Sequence, residues 1–136
     1  MENYRIESVR IPADFKKVFD YVSNPANLPE WTHAFKQVKN GKAVLATPSG
    51  SVEIGLKTES SPSAGTIDWH MTMPDGTMTS AFSRLIRESA DHCIYTFTLM
   101  APPVPLEALE GTLNQQVVIL REELAALRRT LTALRN

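Results

Sequence analysis

Between Thr66 and Met73 apolar and polar residues alternate one for one, with Ile67, Trp69, Met71 and Met73 on one side and Thr66, Asp68, His70 and Thr72 on the other. A period of two predicts a strand with one buried and one solvated face. The same period runs from about Phe35 to Ala101, and turn residues interrupt it at Asn40-Gly41, Pro48-Ser49-Gly50, Ser61 to Gly65, Pro74-Asp75-Gly76 and Ser89 to His92. Five turns divide that stretch into six strands, and such short connections join antiparallel neighbours into a meander. In the last of them Cys93, Tyr95, Phe97 and Leu99 share a face.

Ahead of the meander, Tyr4 to Ile11 forms a further strand that Pro12 ends. Phe15, Val18, Phe19 and Val22 then recur at i, i+3, i+4, i+7, the signature of a short amphipathic helix. Asn24-Pro25 starts a second short helix, with Asn24 as its cap and Leu28 and Trp31 as its buried residues. After the meander, prolines 102, 103 and 105 forbid a strand, and Pro105 is placed to open a helix. Leu106, Leu109, Leu113, Val117, Leu120, Leu124, Leu127, Leu131 and Leu134 follow at spacings of three or four, which predicts one long helix. The order is one strand, two short helices, six strands and a long helix. The terminal helix carries the only long apolar stripe available to cover the sheet, so the stripe is assigned to packing within the chain in preference to a coiled-coil partner.

Composition narrows the function. A length of 136 residues fits a single domain spanning 1–136. Fourteen Lys and Arg against 15 Asp and Glu leave a net charge of -1, which removes the basic excess of a phosphate-backbone binder and argues against nucleic acid. No apolar run approaches the ~20 residues of a membrane span, and Met1 to Arg5 lacks a signal peptide's apolar core, so a cytoplasmic protein is expected. One cysteine, Cys93, and three scattered histidines, His33, His70 and His92, match no metal-ligand spacing.

Ile11-Pro12-Ala13 leading into Val18-Phe19-Asp20-Tyr21-Val22, then Asn24-Pro25 and Pro29-Glu30-Trp31, resembles the SRPBCC superfamily. More narrowly, together with Gly65-Thr66-Ile67-Asp68-Trp69 and Pro74-Asp75-Gly76, it is similar to the bacterial polyketide cyclase/dehydrase and lipid-transport group, related to START domains. That resemblance covers essentially the whole chain. It implies an α+β helix-grip fold: a seven-stranded curved antiparallel sheet wrapped around the C-terminal helix, with two short helices between strands one and two and an apolar cavity between sheet and helix. It also implies a carrier or sensor of a small hydrophobic or amphipathic molecule, without a tightly held cofactor. A cyclase or dehydratase using the same cavity and a protein-interaction module are the alternatives. Monomer and homodimer both fit.

Within that frame Trp69, Met71 and Met73 would line the cavity, since thioethers and flat rings adapt to irregular ligands, although simple core packing explains such a stripe equally well. Tyr95 and Phe97 stand in the same position, and an inward Tyr95 hydroxyl needs a partner. Leu109, Leu113 and Val117 would face the cavity from the helix. Trp31 and His33 sit at the expected mouth, Trp31 as a plug or a ligand contact, His33 as an acid or base or as a plain exposed imidazole. Arg84 shares strand parity with Phe82 and Ile86, and if those face inward it would clamp a ligand carboxylate or phosphate. The opposite parity, Ala81, Ser83 and Leu85, is equally compatible with the pattern and leaves Arg84 in solvent. No catalytic residue is assigned, because the resemblance carries no shared catalytic signature.

Overall fold

The computed structural model describes residues 3–47, 50–100 and 106–133, with the side chains of Thr47 and of 106–112 outside the description. The chain runs β1 (Tyr4–Ile11), α1 (Phe15–Ser23), a 3-10 turn (Pro25–Asn27), α2 (Leu28–Trp31), β2 (Phe35–Lys39), β3 (Lys42–Thr47), β4 (Gly50–Ser61), β5 (Thr66–Thr72), β6 (Met78–Ser89), β7 (His92–Met100) and α3 (Leu106–Ala133). The second predicted helix is thus split. Asn24 caps the 3-10 turn through its side chain, which accepts the Ala26 N–H, and Leu28 and Trp31 are buried from the α-helical turn that follows. The predicted turn at Pro48-Ser49, the proline break at 101–105 and Leu134 lie outside the described residues.

All seven strands join one open antiparallel sheet in the order β1-β7-β6-β5-β4-β3-β2, so the meander is extended at one end by β1 pairing with β7. Because side chains alternate across a strand, pairing transmits one inward parity from strand to strand. Ile67 opposes Ser83, which opposes Phe97, which opposes Glu7; Trp69 opposes Ala81. Ile54, Leu56, Ile67, Trp69, Leu85, Cys93 and Tyr95 from this face meet Leu120, Leu124, Leu127 and Leu131 of α3 in one core. The helix packs chiefly against β1 and α2, and Arg121 of α3 binds Glu7 of β1 at 2.6 Å. Val18, Phe19 and Val22 of α1 close the core beside β6 and β7.

The register of β6 is held at two points. The Ser83 hydroxyl donates to the Ile67 carbonyl, and the Leu85 N–H donates to the Gly65 carbonyl at 2.7 Å. Gly65 has φ +76°, where a side chain is strained, and a Cβ there would collide with the Leu85 carbonyl. Replacing it tests the clamp. Gly65→Ala should lower stability by more than ~1 kcal/mol, read as an earlier urea midpoint at unchanged slope.

Candidate functional site

The cavity follows from residue sizes on the inward face. Along β6 that face carries Thr79, Ala81, Ser83 and Leu85, whereas β5 beside it carries Trp69 and Met71, and β7 carries Phe97 and Leu99. Small side chains between two rows of large ones leave a trough that α3 and α2 roof over. The result is a cavity of about 570 Å³, lined by Leu28 and Trp31 of α2, Phe35 of β2, Trp69 and Met71 of β5, Met73, Thr79 and Ala81, Phe97 and Leu99 of β7, and Gln116, Leu120 and Glu123 of α3. Its volume lies within the range typical of small-molecule sites, and its walls are mainly aromatic, aliphatic and thioether. The Trp69 and Phe97 rings stack with centroids 6.2 Å apart and form one wall.

Of the residues expected at the site, Trp31, Trp69, Met71, Met73, Phe82 and Phe97 stand in this lining. Phe82 does so from the outward parity, its ring meeting His70 edge-on at 6.4 Å. Tyr95 lies outside the lining. It is fully buried, with its ring edge-on to Trp31, and it is Trp31 that reaches the cavity. Burial pushes the Tyr95 phenol well above its usual range, opposed by the nearby Ser83 hydroxyl, and its oxygen makes no well-formed hydrogen bond among the described residues. Leu113 and Val117 are buried on α3 but do not line the cavity, and the side chain of Leu109 lies outside the described residues.

Two polar expectations change. Arg84 is exposed on the outer face, because the Ser83 and Leu85 clamps turn the other parity inward; it borders a shallow groove with Phe15 and Arg87 instead. His33 brings only its backbone to the site. Its N–H donates to Glu123 Oε2 at 2.7 Å, while its half-exposed ring points to Glu122, Nε2 to Oε2 3.9 Å.

Glu123 was not among the expected residues. It is the only charged side chain in the described lining, and the bond to His33 ties the α2–β2 loop, whose Thr32 and Ala34 also line the cavity, to α3. The signal was in the sequence: 116, 120 and 123 recur at i, i+4, i+7, and 123 sits three residues before 126 and four before Leu127 of the stripe, so Gln116 and Glu123 are polar interruptions of the helix's inward face. Desolvation raises the Glu123 carboxyl above its ordinary value of 4.5, opposed by the His33 N–H and the His33 ring. Among the described residues no three His, Cys, Asp or Glu side chains converge as a metal site would need, and no helix is long and apolar enough to cross a membrane.

No protein-family model matches the sequence. No curated protein matches it either. Solved structures do. A START superfamily protein from Mycobacterium smegmatis matches at a TM-score of 0.70 and 13% identity, covering 98% of this chain and 99% of that one. The Zhui aromatase/cyclase from Streptomyces sp. R1128 matches at 0.70 and 9% identity over 95% and 93% of the two chains. The di-domain ARO/CYC BexL matches at 0.73 and 17% identity, over 99% of this chain and 48% of that chain. This chain has the SRPBCC-type helix-grip fold. Identities this low establish a shared architecture and carry no residue from one chain to another. The helix-grip cavity is therefore interpreted from its own side chains.

A carboxyl raised by burial makes folding less favourable once it ionises. Stability contributed by the protonated form is present below the unfolded value near 4.5 and is lost as pH rises through the higher folded value. Glu123→Gln keeps an acceptor for the His33 N–H and removes that loss. The variant should gain stability relative to the parent as pH rises from below about 4.5 through the raised folded value, measured as the difference in urea midpoints, and a constant difference would contradict the assigned cause.

Proposed function

We propose that this chain binds a small hydrophobic or amphipathic molecule in the cavity between the sheet and α3. The observation that carries the reading is the cavity itself: about 570 Å³ walled by Trp31, Trp69, Phe97 and Met71, maintained although larger inward residues on β6 would fill it. Close packing is the default for protein interiors, so an apolar space of this size beside a well-packed core is better explained by a ligand than by incomplete packing. The aromatic faces supply flat contact area, and the methionines adjust to its outline.

A second reading, chemistry on the bound molecule, is favoured by Glu123. A carboxyl with raised proton affinity inside an apolar cavity is a candidate general acid or base, and two of the structural neighbours carry aromatase/cyclase or ARO/CYC in their names. His33, Arg84 and Tyr95, the other polar residues that the sequence offers for the site, are not in its described lining. If Glu123 transfers a proton, Glu123→Gln will retain an uncharged ligand yet lose turnover of it by at least ~100-fold, the usual range for removing a general acid or base.

Binding is tested with an uncharged apolar dye such as Nile red and by native mass spectrometry of freshly purified protein. Ala81 opposes Trp69 at the floor of the trough, and Ala81→Phe should fill the cavity. Saturable dye binding by the parent and at least ~10-fold weaker binding by a folded Ala81→Phe variant are expected, a change of about 1.4 kcal/mol. Equal binding by both would place the ligand elsewhere.

A further inference from the structure

We propose that the cavity selects the hydrogen-bond-donating end of an uncharged or cationic amphiphile, an alcohol, an amide or a protonated amine on an apolar body, and discriminates against carboxylates and phosphates, with Glu123 as the specificity-determining residue. This rests on the ligand-binding reading above and deepens it. Glu123 Oε2 is occupied by the His33 N–H at 2.7 Å, whereas Oε1 has no hydrogen-bond partner among the described residues. One carboxylate oxygen is thus held in place by the fold and the other is left to accept from something else. No lysine, arginine or histidine side chain belongs to the described lining.

The sign of the site follows. An anionic head group beside Glu123 would set two negative charges close together in an apolar surround whose described lining holds no counter-charge, the His33 imidazole standing outside it, and both Coulomb repulsion and desolvation oppose that. A donor head group meets the open Oε1 and satisfies it, and an ammonium gains a charge-assisted bond. Trp31, Trp69 and Phe97 add ring faces, which attract a cation and remain neutral toward an alcohol. The remaining polar groups of the lining are the Gln116 amide, hydroxyls such as those of Thr79 and Ser80, and the unpartnered indole N–H groups of Trp31 and Trp69; the two indoles can donate to an acceptor on the guest, but all of these groups are uncharged and none supplies the positive charge that would offset an anion beside Glu123.

The test is a set of probes that share one apolar body: naphthalene, naphthylmethanol, naphthylmethylamine and naphthoate, titrated against the intact chain at neutral pH by calorimetry or tryptophan fluorescence. The amine and the alcohol are expected to bind at least ~10-fold more tightly than naphthoate, and Glu123→Gln should cut the ratio of amine to naphthoate affinity by about 10-fold. Naphthoate binding as tightly as the amine, or a ratio that Glu123→Gln leaves alone, overturns the proposal. If Glu123→Gln does not fold, as judged by circular dichroism, the order of the probes on the parent decides by itself. The two levels separate cleanly: naphthalene bound, and displaced by Ala81→Phe, with no order among head groups defeats the selectivity alone, whereas no binding by any probe defeats the cavity reading and this one with it.

Discussion

The inward parity of β6 is the constraint on which the cavity depends. Two hydrogen bonds set it, from the Ser83 hydroxyl to Ile67 and from the Leu85 N–H to Gly65, and the left-handed Gly65 lets the two strands approach closely enough to make the second. A slip of one residue would exchange the faces. Phe82 and Ile86 would then take the inward places of Ala81, Ser83 and Leu85, and Arg84 would be forced toward the core. The trough exists because the strand between the two large-residue rows presents its small side chains inward, and those are inward because the clamp holds them so.

That choice has a visible consequence on the other face. Met78, Phe82 and Ile86, on the outward parity, are exposed at 70%, 41% and 41%, although Met78 and Phe82 also border the cavity, whereas Ser83 and Leu85 on the inward parity are buried. Hydrophobicity alone would have put Phe82 and Ile86 inside, the opposite of what backbone pairing enforces. This is why the pattern along β6 left the orientation of Arg84 open: local polarity and the register inherited from β5 and β7 point in different directions, and only the pairing decides. On β5 both agree, since Ile67, Trp69 and Met71 are the larger and the more apolar set, and there the sequence told inside from outside.

Legibility elsewhere follows the same division. Element order, the capping by Asn24, the stripe of α3 and the turns at Asn40-Gly41 and Pro74-Asp75-Gly76 are local properties, and they can be read from spacing. Which of several inward side chains touch the cavity and which lie beneath its wall is a tertiary fact. Tyr95 and Phe97 share a face of β7, yet Tyr95 packs under Trp31 and Phe97 lines the space, because α2 sits over one and not the other. His33 was singled out as a titratable ring near the mouth, but the fold uses its peptide N–H and turns the ring to Glu122. Glu123 was overlooked because an isolated acid on a long amphipathic helix ordinarily belongs to its solvated face. Only its place on the stripe's own spacing marked it out.

Shape and charge in this cavity come from different kinds of structure. Its outline is drawn by Met71, Met73 and aromatic rings, side chains that re-pack around guests of different form, so shape alone selects loosely. Its electrostatics come from one carboxylate on α3, fixed at one oxygen by a backbone N–H from the α2–β2 loop and therefore unable to turn away from whatever enters. A carboxylate withdrawn from water is unfavourable for folding, and Glu123 shows this in a proton affinity raised by desolvation that the His33 N–H and ring only partly offset. A glutamine would satisfy the same His33 N–H without that cost. The carboxylate therefore adds nothing to folding that a neutral amide would not, and the described lining around it holds no cationic side chain. Under the proposed binding, what the charge supplies is a preference about the guest, with selectivity originating in the helix and room provided by the sheet.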